Sequence, residues 1–301
     1  MSATLTPLHR RVADWYRANA RPLPWRAPGT TAWGVLVSEV MSQQTPVTRV
    51  APRWEEWMRR WPEPADLAAA PTADVLRAWG KLGYPRRALR LAEAARAIAE
   101  DHGGRVPDDV GELLALPGVG DYTARAVAAF HYGRPVPVVD VNVRRVLRRH
   151  RQGSFLPGTA RRADMAAVAA LLPDDAVEGA GSAAETGVGL MELGALVCTA
   201  RNPACGECPI AEDCAWVLAG RPGPGAEELA AAKRRVQRFE GTDRQCRGRL
   251  LDVLRGADAP VPQAELDAAW PDAAQRARCL FSLLEDGLAE QDDDGLFRLP
   301  A

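Results

Sequence analysis

The segment from residue 112 to 149 constrains the fold more than any other part of the sequence. Its residues are ELLALPGVGDYTARAVAAFHYGRPVPVVDVNVRRVLRR. The apolar spacing predicts a short helix that ends near Leu116 and a second helix that begins at Asp121. Between them, Gly118 and Gly120 permit a tight turn with exposed backbone N–H groups, which can bind a phosphate oxygen. The turn alone fits an ordinary pair of helices without a ligand equally well.

The second half of this segment favours a ligand. An extended apolar run, Val136 to Val139, leads to Asp140, which stands at the start of a helix with four arginines. A carboxylate followed by a basic helix suits a site that lies against a polyanion. The arginines of this helix are Arg144, Arg145, Arg148 and Arg149.

Composition and charge indicate a globular protein that can bind nucleic acid. The chain is 47% hydrophobic and 26% charged, with a formal net charge of −1. Residues 1–222 hold 27 Lys and Arg against 24 Asp and Glu (+3), and residues 223–301 hold 11 against 15 (−4). Lys81 is the only lysine of the front part, and arginine binds phosphate through two parallel hydrogen bonds.

No apolar run approaches the roughly 18 residues of a membrane span, and the first residues lack the apolar core of a signal peptide. We therefore expect a cytoplasmic protein without a membrane partner, associated with the nucleoid if the source is bacterial.

The pattern of apolar residues predicts an all-α front part. Helices are expected at residues 8–20, 31–44, 47–60, 72–79 and 86–101, and only residues 136–139 look extended. A Gly- and Pro-rich linker begins at residue 220 and is followed by a charged helix at 227–238. Three helices and a hairpin (288–291 with 296–299) then predict a small winged-helix-like module. The predicted domains are residues 1–219, a linker and charged helix at 220–243, and the module at 244–301.

Glu39 stands beside the apolar stripe of the helix predicted at residues 31–44. An isolated glutamate on a helix is ordinarily solvated. The neighbouring Val35 and Leu36 favour partial burial here, which would raise its pKa and keep it protonated near neutral pH.

Four of the six cysteines fall within seventeen residues and predict a metal site. Disulfides are not expected in a chain without an export signal. The spacing favours an iron–sulfur cluster with four thiolate ligands, while a zinc site remains open. Cys246 and Cys279 stand alone and are expected to be buried as small apolar residues. The four clustered cysteines are Cys198, Cys205, Cys208 and Cys214.

Seven motifs in this order resemble the adenine DNA glycosylases of the MutY type, in the helix-hairpin-helix, iron–sulfur branch of glycosylases related to endonuclease III. The resemblance covers about residues 8–216. The motifs are LPWR (23–26), SEVMSQQT (38–45), LGY (82–84), LPGVGDYTA (116–124), VDVNVRRV (139–146), MELGALVCT (191–199) and the four-cysteine loop.

The resemblance implies two helical lobes with DNA between them. One lobe is a six-helix barrel (about 30–133) that includes the hairpin (112–130), and the other joins residues 1–29 to 134–219 around a [4Fe-4S] cluster. It implies a hydrolase that removes adenine mispaired with 8-oxoguanine or guanine in double-stranded DNA, acting as a monomer in base excision repair.

The resemblance also implies roles for single residues. Glu39 would be the catalytic acid and Asp140 the second carboxylate, with Tyr122 and Asn142 beside them. The implied substrate and DNA contacts are Trp25, Arg26, Gln43, Gln44, Thr45, Leu82, Tyr84, Gly118, Gly120, Arg144 and Glu192.

The chemistry of N-glycosidic cleavage agrees with two carboxyl groups in different protonation states, one to protonate the base and one to stabilise the sugar cation. Asp140 at a helix start is expected to be ionised, because backbone N–H groups favour the anion. Related enzymes that also cut the strand carry a lysine nucleophile where this chain has Tyr122, and a phenol cannot form an imine. A monofunctional glycosylase is therefore expected.

Three departures from the family pattern stand out. Ser42 and Pro85 replace a leucine and a tyrosine or similar residue, and the residues after 243 do not fit the Nudix-like domain that commonly recognises 8-oxoguanine in this family. Two alternatives stay open: a non-catalytic iron–sulfur DNA-binding protein, and a bifunctional glycosylase and lyase for damaged pyrimidines.

Overall fold

The computed structural model describes residues 6–173, 182–233 and 239–301. These residues are mainly helical, and none of their helices is both long and apolar enough to cross a membrane. The helices are α1 (Leu8–Asn19), α2 (Ala32–Ser42), α3 (Val47–Arg60), α4 (Pro64–Ala68), α5 (Thr72–Trp79), α6 (Arg86–Asp101), α7 (Val110–Ala115), α8 (Asp121–Phe130), α9 (Val141–Gln152), α10 (Arg162–Ala169), α11 (Ala183–Leu196), α12 (Ala215–Leu218), α13 (Ala226–Lys233), α14 (Asp243–Gly256), α15 (Gln263–Ala269) and α16 (Ala273–Glu285). The strands are β1 (Glu290–Gln291) and β2 (Phe297–Arg298).

The chain forms two compact units. The first comprises the described residues within Met1–Leu23, Asp108–Gly111 and Gly120–Val236, and the second those within Pro24–Pro107, Glu112–Val119 and Gln237–Ala301. The first unit therefore includes α8, whereas the sequence analysis grouped residues 30–133 together. The domain division of the sequence analysis stays a prediction.

The core of the first unit forms where α1, α9 and α11 pack together. Two glycines of α11 permit this packing. A Cβ on Gly189 would lie 2.8 Å from Val12 of α1, and a Cβ on Gly194 would lie 2.7 Å from the backbone oxygen of Asn142 in α9. Larger residues at either position would push the neighbouring helix away.

The core of the second unit is organised around α2, whose residues 32–41 are all buried. A helix that is apolar on all sides is expected in a protein interior rather than at its surface. Tryptophans of the neighbouring α3 fix its position, since Trp54 Nε1 donates to the oxygen of Gly34 at 2.7 Å. Trp57 of the same helix packs edge-on against Trp61 and Trp79.

The second unit also contains the C-terminal module, which we define as residues 244–301. Helices α14, α15 and α16 precede an antiparallel strand pair in which Gln291 faces Phe297, and Phe297 also bridges to Val261. Cys246 of α14 and Cys279 of α16 are buried, as predicted, and the Cys279 thiol donates to the backbone oxygen of Asp243 at 3.6 Å. Three helices and a hairpin were predicted here and are confirmed.

The predicted bounds of most helices agree with the structure within one or two residues, and no bounds were predicted for α4, α10, α11 and α12. Helix α4 was not predicted, because its five residues are too short to show a helical period. The charged helix predicted at 227–238 is present as α13, and its last part, residues 234–238, lies outside the described residues. The all-α fold with a small C-terminal α+β module is confirmed.

Candidate active site and cysteine loop

Asp140 occupies the N-cap of α9 in the first unit. Its Oδ1 accepts a hydrogen bond from the backbone N–H of Val143 at 2.7 Å, and its Oδ2 accepts one from Nδ2 of Asn142 at 2.7 Å. The N-cap was predicted, and its hydrogen bonds lower the pKa of Asp140 as expected, but burial, which was not predicted, has the larger effect. Burial raises the pKa of the Asp140 carboxyl above its ordinary value, and the hydrogen bonds and the nearby charge of Arg145 offset this only in part.

Tyr122 and Glu192 lie in the same unit as Asp140. The Tyr122 ring packs against the small apolar cluster of Ala126, Ala129 and Val138, and its hydroxyl lies 3.9 Å from the sulfur of Met191. Glu192, the next residue of α11, is fully buried.

Glu192 forms a two-point ion pair with Arg21. Nε and Nη2 of the guanidinium each lie 2.7 Å from one carboxylate oxygen, and the backbone N–H of Arg21 donates to Oε1 at 3.0 Å. The pair fixes the chain after α1 against α11. The resemblance assigned Glu192 to the substrate pocket, and it did not indicate this partner.

Three of the four arginines of α9 are buried and bind within the protein, which corrects the expectation that this basic helix faces a polyanion. Arg145, Arg148 and Arg149 are 5%, 8% and 1% exposed. Arg148 pairs with the buried Asp164 at 3.3 Å. Arg144 is half-buried, so among these four arginines it alone keeps substantial contact with solvent.

Arg145 and Arg149 hold the cysteine loop, which we define as residues 198–214. Arg145 donates from Nε to the backbone oxygen of Cys198 at 2.6 Å. Arg149 donates to the oxygens of Thr199 and Ala200 at 2.7 and 3.3 Å and to the Cys198 sulfur at 3.3 Å. Buried arginines with carbonyl partners on a loop position that loop rigidly.

The four cysteines of the loop lie close together. Burial, together with the negative charges of the other three thiolates, raises the pKa of the Cys208 thiol to about 12. Within the part of the chain that is described, no three potential ligands converge closely enough for a single metal ion. Four cysteine thiolates are the donor set that holds an iron–sulfur cluster, so these residues fit such a cluster.

In the second unit, Glu39 lies near the middle of α2 and is 8% exposed. The burial predicted for this carboxyl group is therefore confirmed. Ser38 beside it is also buried, and its hydroxyl donates to the oxygen of Val35 at 2.8 Å. The helix that carries Glu39 is thus buried along residues 32–41.

The residues after α2 are fixed by Arg87 of α6, which the sequence analysis missed. Its guanidinium donates to the oxygens of Val40 at 2.6 Å and Gly83 at 3.0 Å and to the Thr45 hydroxyl at 3.2 Å. The Thr45 hydroxyl also donates to the oxygen of Leu82 at 3.0 Å. Burial lowers the pKa of Arg87 to about 10, which leaves it charged at neutral pH.

Gln44 and Tyr84 both have left-handed backbones, with φ angles of 56° and 46°. Non-glycine residues rarely adopt this conformation and pay a steric cost of roughly 1 kcal/mol or more for it. Both side chains are exposed and line one groove together with Leu82. The SQQT and LGY motifs, which the sequence separates by almost forty residues, therefore meet at one surface.

The turn of the helical hairpin lies beside Gln43. Gln43 and residues Pro117–Val119 line a cavity of about 210 Å³ together with Arg86 and Arg90. Gly118 has a φ of 73°, and a Cβ there would lie 2.5 Å from the Cβ of Arg90. Gly120 is the N-cap of α8 and has an ordinary extended backbone. Glycine is thus required at the first of the two positions.

Trp25 and Arg26 form a short 3₁₀ turn in the second unit. Trp25 is buried, and its ring meets that of Trp54 edge-on with centroids 6.1 Å apart. Arg26 is half-buried. The predicted site residues thus gather in two groups, one in each unit. Asp140, Asn142, Tyr122, Glu192 and the cysteines belong to the first, and the remaining residues named by the resemblance, except Arg144 and Gly120, belong to the second.

Comparison with protein families places this architecture in a known class. Residues 37–161 match the model of the HhH-GPD superfamily of base excision DNA repair proteins, and residues 198–214 match the iron-sulfur binding domain of endonuclease III. The hairpin, the capped carboxylate and the cysteine loop therefore define a helix-hairpin-helix base excision repair protein with a [4Fe-4S] cluster.

Sequence identity to individual proteins shows which family of base excision repair proteins this chain belongs to. The chain is 56% identical to the adenine DNA glycosylase of Mycobacterium tuberculosis H37Rv, covering 97% of this chain and 94% of that one, and equally identical to that of Mycolicibacterium smegmatis, covering 96% and 94%. The chain belongs to the adenine DNA glycosylase family. The human adenine DNA glycosylase is 39% identical over 70% of this chain and 40% of its own length.

Solved structures agree on the fold. A thermostable thymine-DNA glycosylase matches with a TM-score of 0.62 at 26% identity, covering 70% of this chain and 95% of that one. A trapped endonuclease III–DNA covalent intermediate matches with a TM-score of 0.59 at 22% identity, covering 71% and 95%.

Proposed function

We propose that this protein hydrolyses the N-glycosidic bond of adenine mispaired with 8-oxoguanine or guanine in double-stranded DNA, without cutting the strand. Family membership supports the glycosylase activity. The observations that carry the catalytic assignment are a buried carboxyl group on α2, Glu39, and a half-buried, hydrogen-bonded one at the N-cap of α9, Asp140.

The two carboxyl groups divide the chemistry between them. Glu39, which is 8% exposed, protonates the adenine leaving group. Asp140 is ionised when it acts and stabilises the positive charge that develops on the sugar. The hydrogen bonds from Val143 and Asn142 fix its two oxygens in orientation.

The adenine must leave the base stack before either group can reach it. Unstacking costs a few kcal/mol, which contacts to the phosphates and a side chain inserted into the gap offset. Tyr84 and Gln44, exposed and held in left-handed conformations, supply the contact with the mispair.

Replacement of Glu39 by glutamine tests the acid assignment. An amide keeps the shape but cannot supply the proton, so we expect adenine release to fall by at least about 100-fold. Binding of a duplex with an A:8-oxoG mispair should stay close to that of the parent. The matched control is Glu56→Gln on α3, whose carboxylate only forms an exposed pair with Arg53. If Glu39→Gln releases adenine at the parent's rate, the assignment is wrong.

Tyr122 supports a glycosylase without lyase activity, because its hydroxyl cannot form an imine with the sugar. Treatment of the reaction with borohydride should therefore trap no covalent protein–DNA complex. A trapped complex would favour the bifunctional alternative.

The opposite-base preference follows from comparing adenine release from A:8-oxoG, A:G and A:C duplexes under single-turnover conditions. The A:8-oxoG and A:G duplexes are expected to react faster than the A:C duplex.

A further inference from the structure

A groove of about 1040 Å³ runs along the second unit between the Tyr84 turn and α14 of the C-terminal module. The proposed function uses only one side of it, through Gln44 and Tyr84. The other side is formed by α14 and α16, to which neither the sequence motifs nor the family models assign a role.

The charges of the C-terminal module are distributed unequally. The module carries seven arginines against eleven acidic residues, a net charge of −4. Four of these arginines line the groove, but only two of the acidic residues, Asp252 and Asp286, do so. Across the groove, Arg49, Lys81, Arg86 and Arg87 of the glycosylase part also line it. An acidic module thus contributes a basic surface at this one place.

Two of the four arginines serve the structure of the module. Arg247 pairs with Asp286 at 2.6 Å, and Arg255 donates to the oxygen of Leu76 at 3.0 Å. Arg249 is exposed and makes no hydrogen bond or ion pair with any residue of the described part of the chain. Its charge is available to a ligand.

Arg244 connects the module to Tyr84. Its Nη1 donates to the Tyr84 hydroxyl at 2.7 Å, and its guanidinium lies 5.7 Å from the centre of the Tyr84 ring and 5.6 Å from that of Phe239. Phe239 and Tyr84 are both exposed. Exposed aromatic rings among arginines are the pattern with which proteins bind a nucleic acid strand, stacking bases and neutralising phosphates.

We propose that this groove binds the DNA backbone, with Arg244 and Arg249 each contacting a phosphate, and that Arg244 also positions the Tyr84 ring. The proposal rests on the proposed function, since it takes DNA as the substrate. It gives the C-terminal module a part in holding the mispair, through α14 and not through its hairpin. Arg244 is a positioning residue in this scheme, because it acts on the mispair through Tyr84.

Salt-dependent binding tests the phosphate contacts. The probe is a labelled duplex with 8-oxoguanine opposite a 2′-fluoro-deoxyadenosine, whose glycosidic bond resists cleavage, and its affinity is measured by anisotropy across a series of KCl concentrations. Each phosphate contact releases about one counterion, so Arg249→Ala and Arg244→Ala should each lower the slope of log K against log salt by about one. The control is Arg298→Ala, an exposed arginine of the same module outside the groove, which should keep the parent's slope.

A double-mutant cycle tests the positioning role. Tyr84→Phe removes only the hydroxyl that Arg244 contacts and should keep the parent's salt slope. Arg244→Ala and Tyr84→Phe should each slow single-turnover adenine release, and the double variant should be little slower than Arg244→Ala alone, because both remove one interaction. Arg244→Lys should restore the salt slope without restoring the rate, since a lysine keeps the charge but not the planar fork.

Three outcomes separate this proposal from the proposed function. Parent-like affinity and slope in both alanine variants, with unchanged thermal unfolding, would reject the groove as a DNA site while the glycosylase remains. Additive effects of Arg244→Ala and Tyr84→Phe on the rate would reject the positioning role. A parent protein that releases no adenine, although the two arginine variants change the slope as expected, would reject the enzymatic function and support the groove.

Discussion

Asn142 connects Asp140 to Arg145, because its Nδ2 donates to Oδ2 of Asp140 at 2.7 Å while its Oδ1 accepts from Nη2 of Arg145 at 2.7 Å. The orientation of the amide is thereby fixed, with its donor toward the carboxylate. Burial raises the pKa of Asp140, and this hydrogen bond opposes the rise.

Replacement of Asn142 by alanine should therefore raise the pKa of Asp140 further. Because we propose that the ionised form acts, the acidic limb of the profile of single-turnover rate against pH should move to higher pH, and the rate loss should be largest at the acidic end. Asn19→Ala, which removes an exposed amide of α1, is the control. An unchanged acidic limb would contradict the coupling.

The same shift has a consequence for folding. A carboxyl group whose pKa is raised in the folded state costs free energy of folding when it is ionised, that is, above its folded-state pKa. This cost declines as the pH falls below the folded-state pKa and disappears below the lower pKa of the unfolded chain. Ionisation of Asp140 should therefore increase the activity and decrease the free energy of unfolding.

The ion pair between Arg21 and Glu192 should contribute strongly to stability. Arg21→Ala leaves a fully buried carboxylate without its partner, and we expect a loss of about 3 kcal/mol in the free energy of unfolding, at the lower end of the range for buried pairs because Arg21 is partly exposed. Arg17→Ala breaks an exposed pair with Glu185 of the same helix α11 and should cost less than about 1 kcal/mol. Urea unfolding of both variants measures the difference. Equal losses would show that the burial of Glu192 is not decisive.

Arg87 should affect both stability and rate. Arg87→Ala leaves the oxygens of Val40 and Gly83 without this donor, and we expect a loss of about 2–3 kcal/mol in the free energy of unfolding. Since the same contacts hold the Tyr84 turn against the end of α2, single-turnover adenine release should also slow. Arg96→Ala, an exposed arginine of the same helix, should change stability by less than about 0.5 kcal/mol. A destabilised variant with a parent-like rate would separate the two effects.

Arg149 should protect the iron–sulfur cluster. Arg149→Lys keeps one charge but loses the fork that holds the oxygens of Thr199 and Ala200 and contacts the Cys198 sulfur. We expect the visible absorbance of the cluster to bleach several-fold faster in the presence of an iron chelator, because hydrogen bonds around a metal site commonly change its affinity by about ten- to a hundred-fold. Arg151→Lys, exposed at the end of the same helix, should bleach at the parent's rate.

The local sequence pattern was sufficient to predict structural features that depend only on residues close together in the sequence. The hairpin turn, the N-cap at Asp140, the cysteine loop and the helices of the C-terminal module all follow from spacings of a few residues. The burial of Glu39 was also indicated, although the stripe of apolar residues on α2 understated how completely that helix is enclosed.

The errors concern partners that are distant in sequence. The arginines of α9 look like a surface for a polyanion, yet the oxygens that Arg145 and Arg149 bind come from residues about fifty positions later. The raised pKa of Asp140 was not predicted for a related reason, because the N-cap is visible in the sequence and the burial around it is not. Arg87 and Arg244 were missed since neither stands in a motif, and each acts on a turn formed elsewhere in the chain.

The complete enclosure of α2 has a consequence for hydrogen exchange. Amides of a helix buried on all sides exchange with solvent only when the whole unit opens, whereas exposed turns exchange through local fluctuations. The backbone beneath Glu39 should thus be among the slowest to take up deuterium, and the exposed turn at Tyr84 among the fastest. The proposed acid is therefore carried by a rigid helix, and Tyr84, which we propose contacts the mispair, is carried by a turn that can adapt to it.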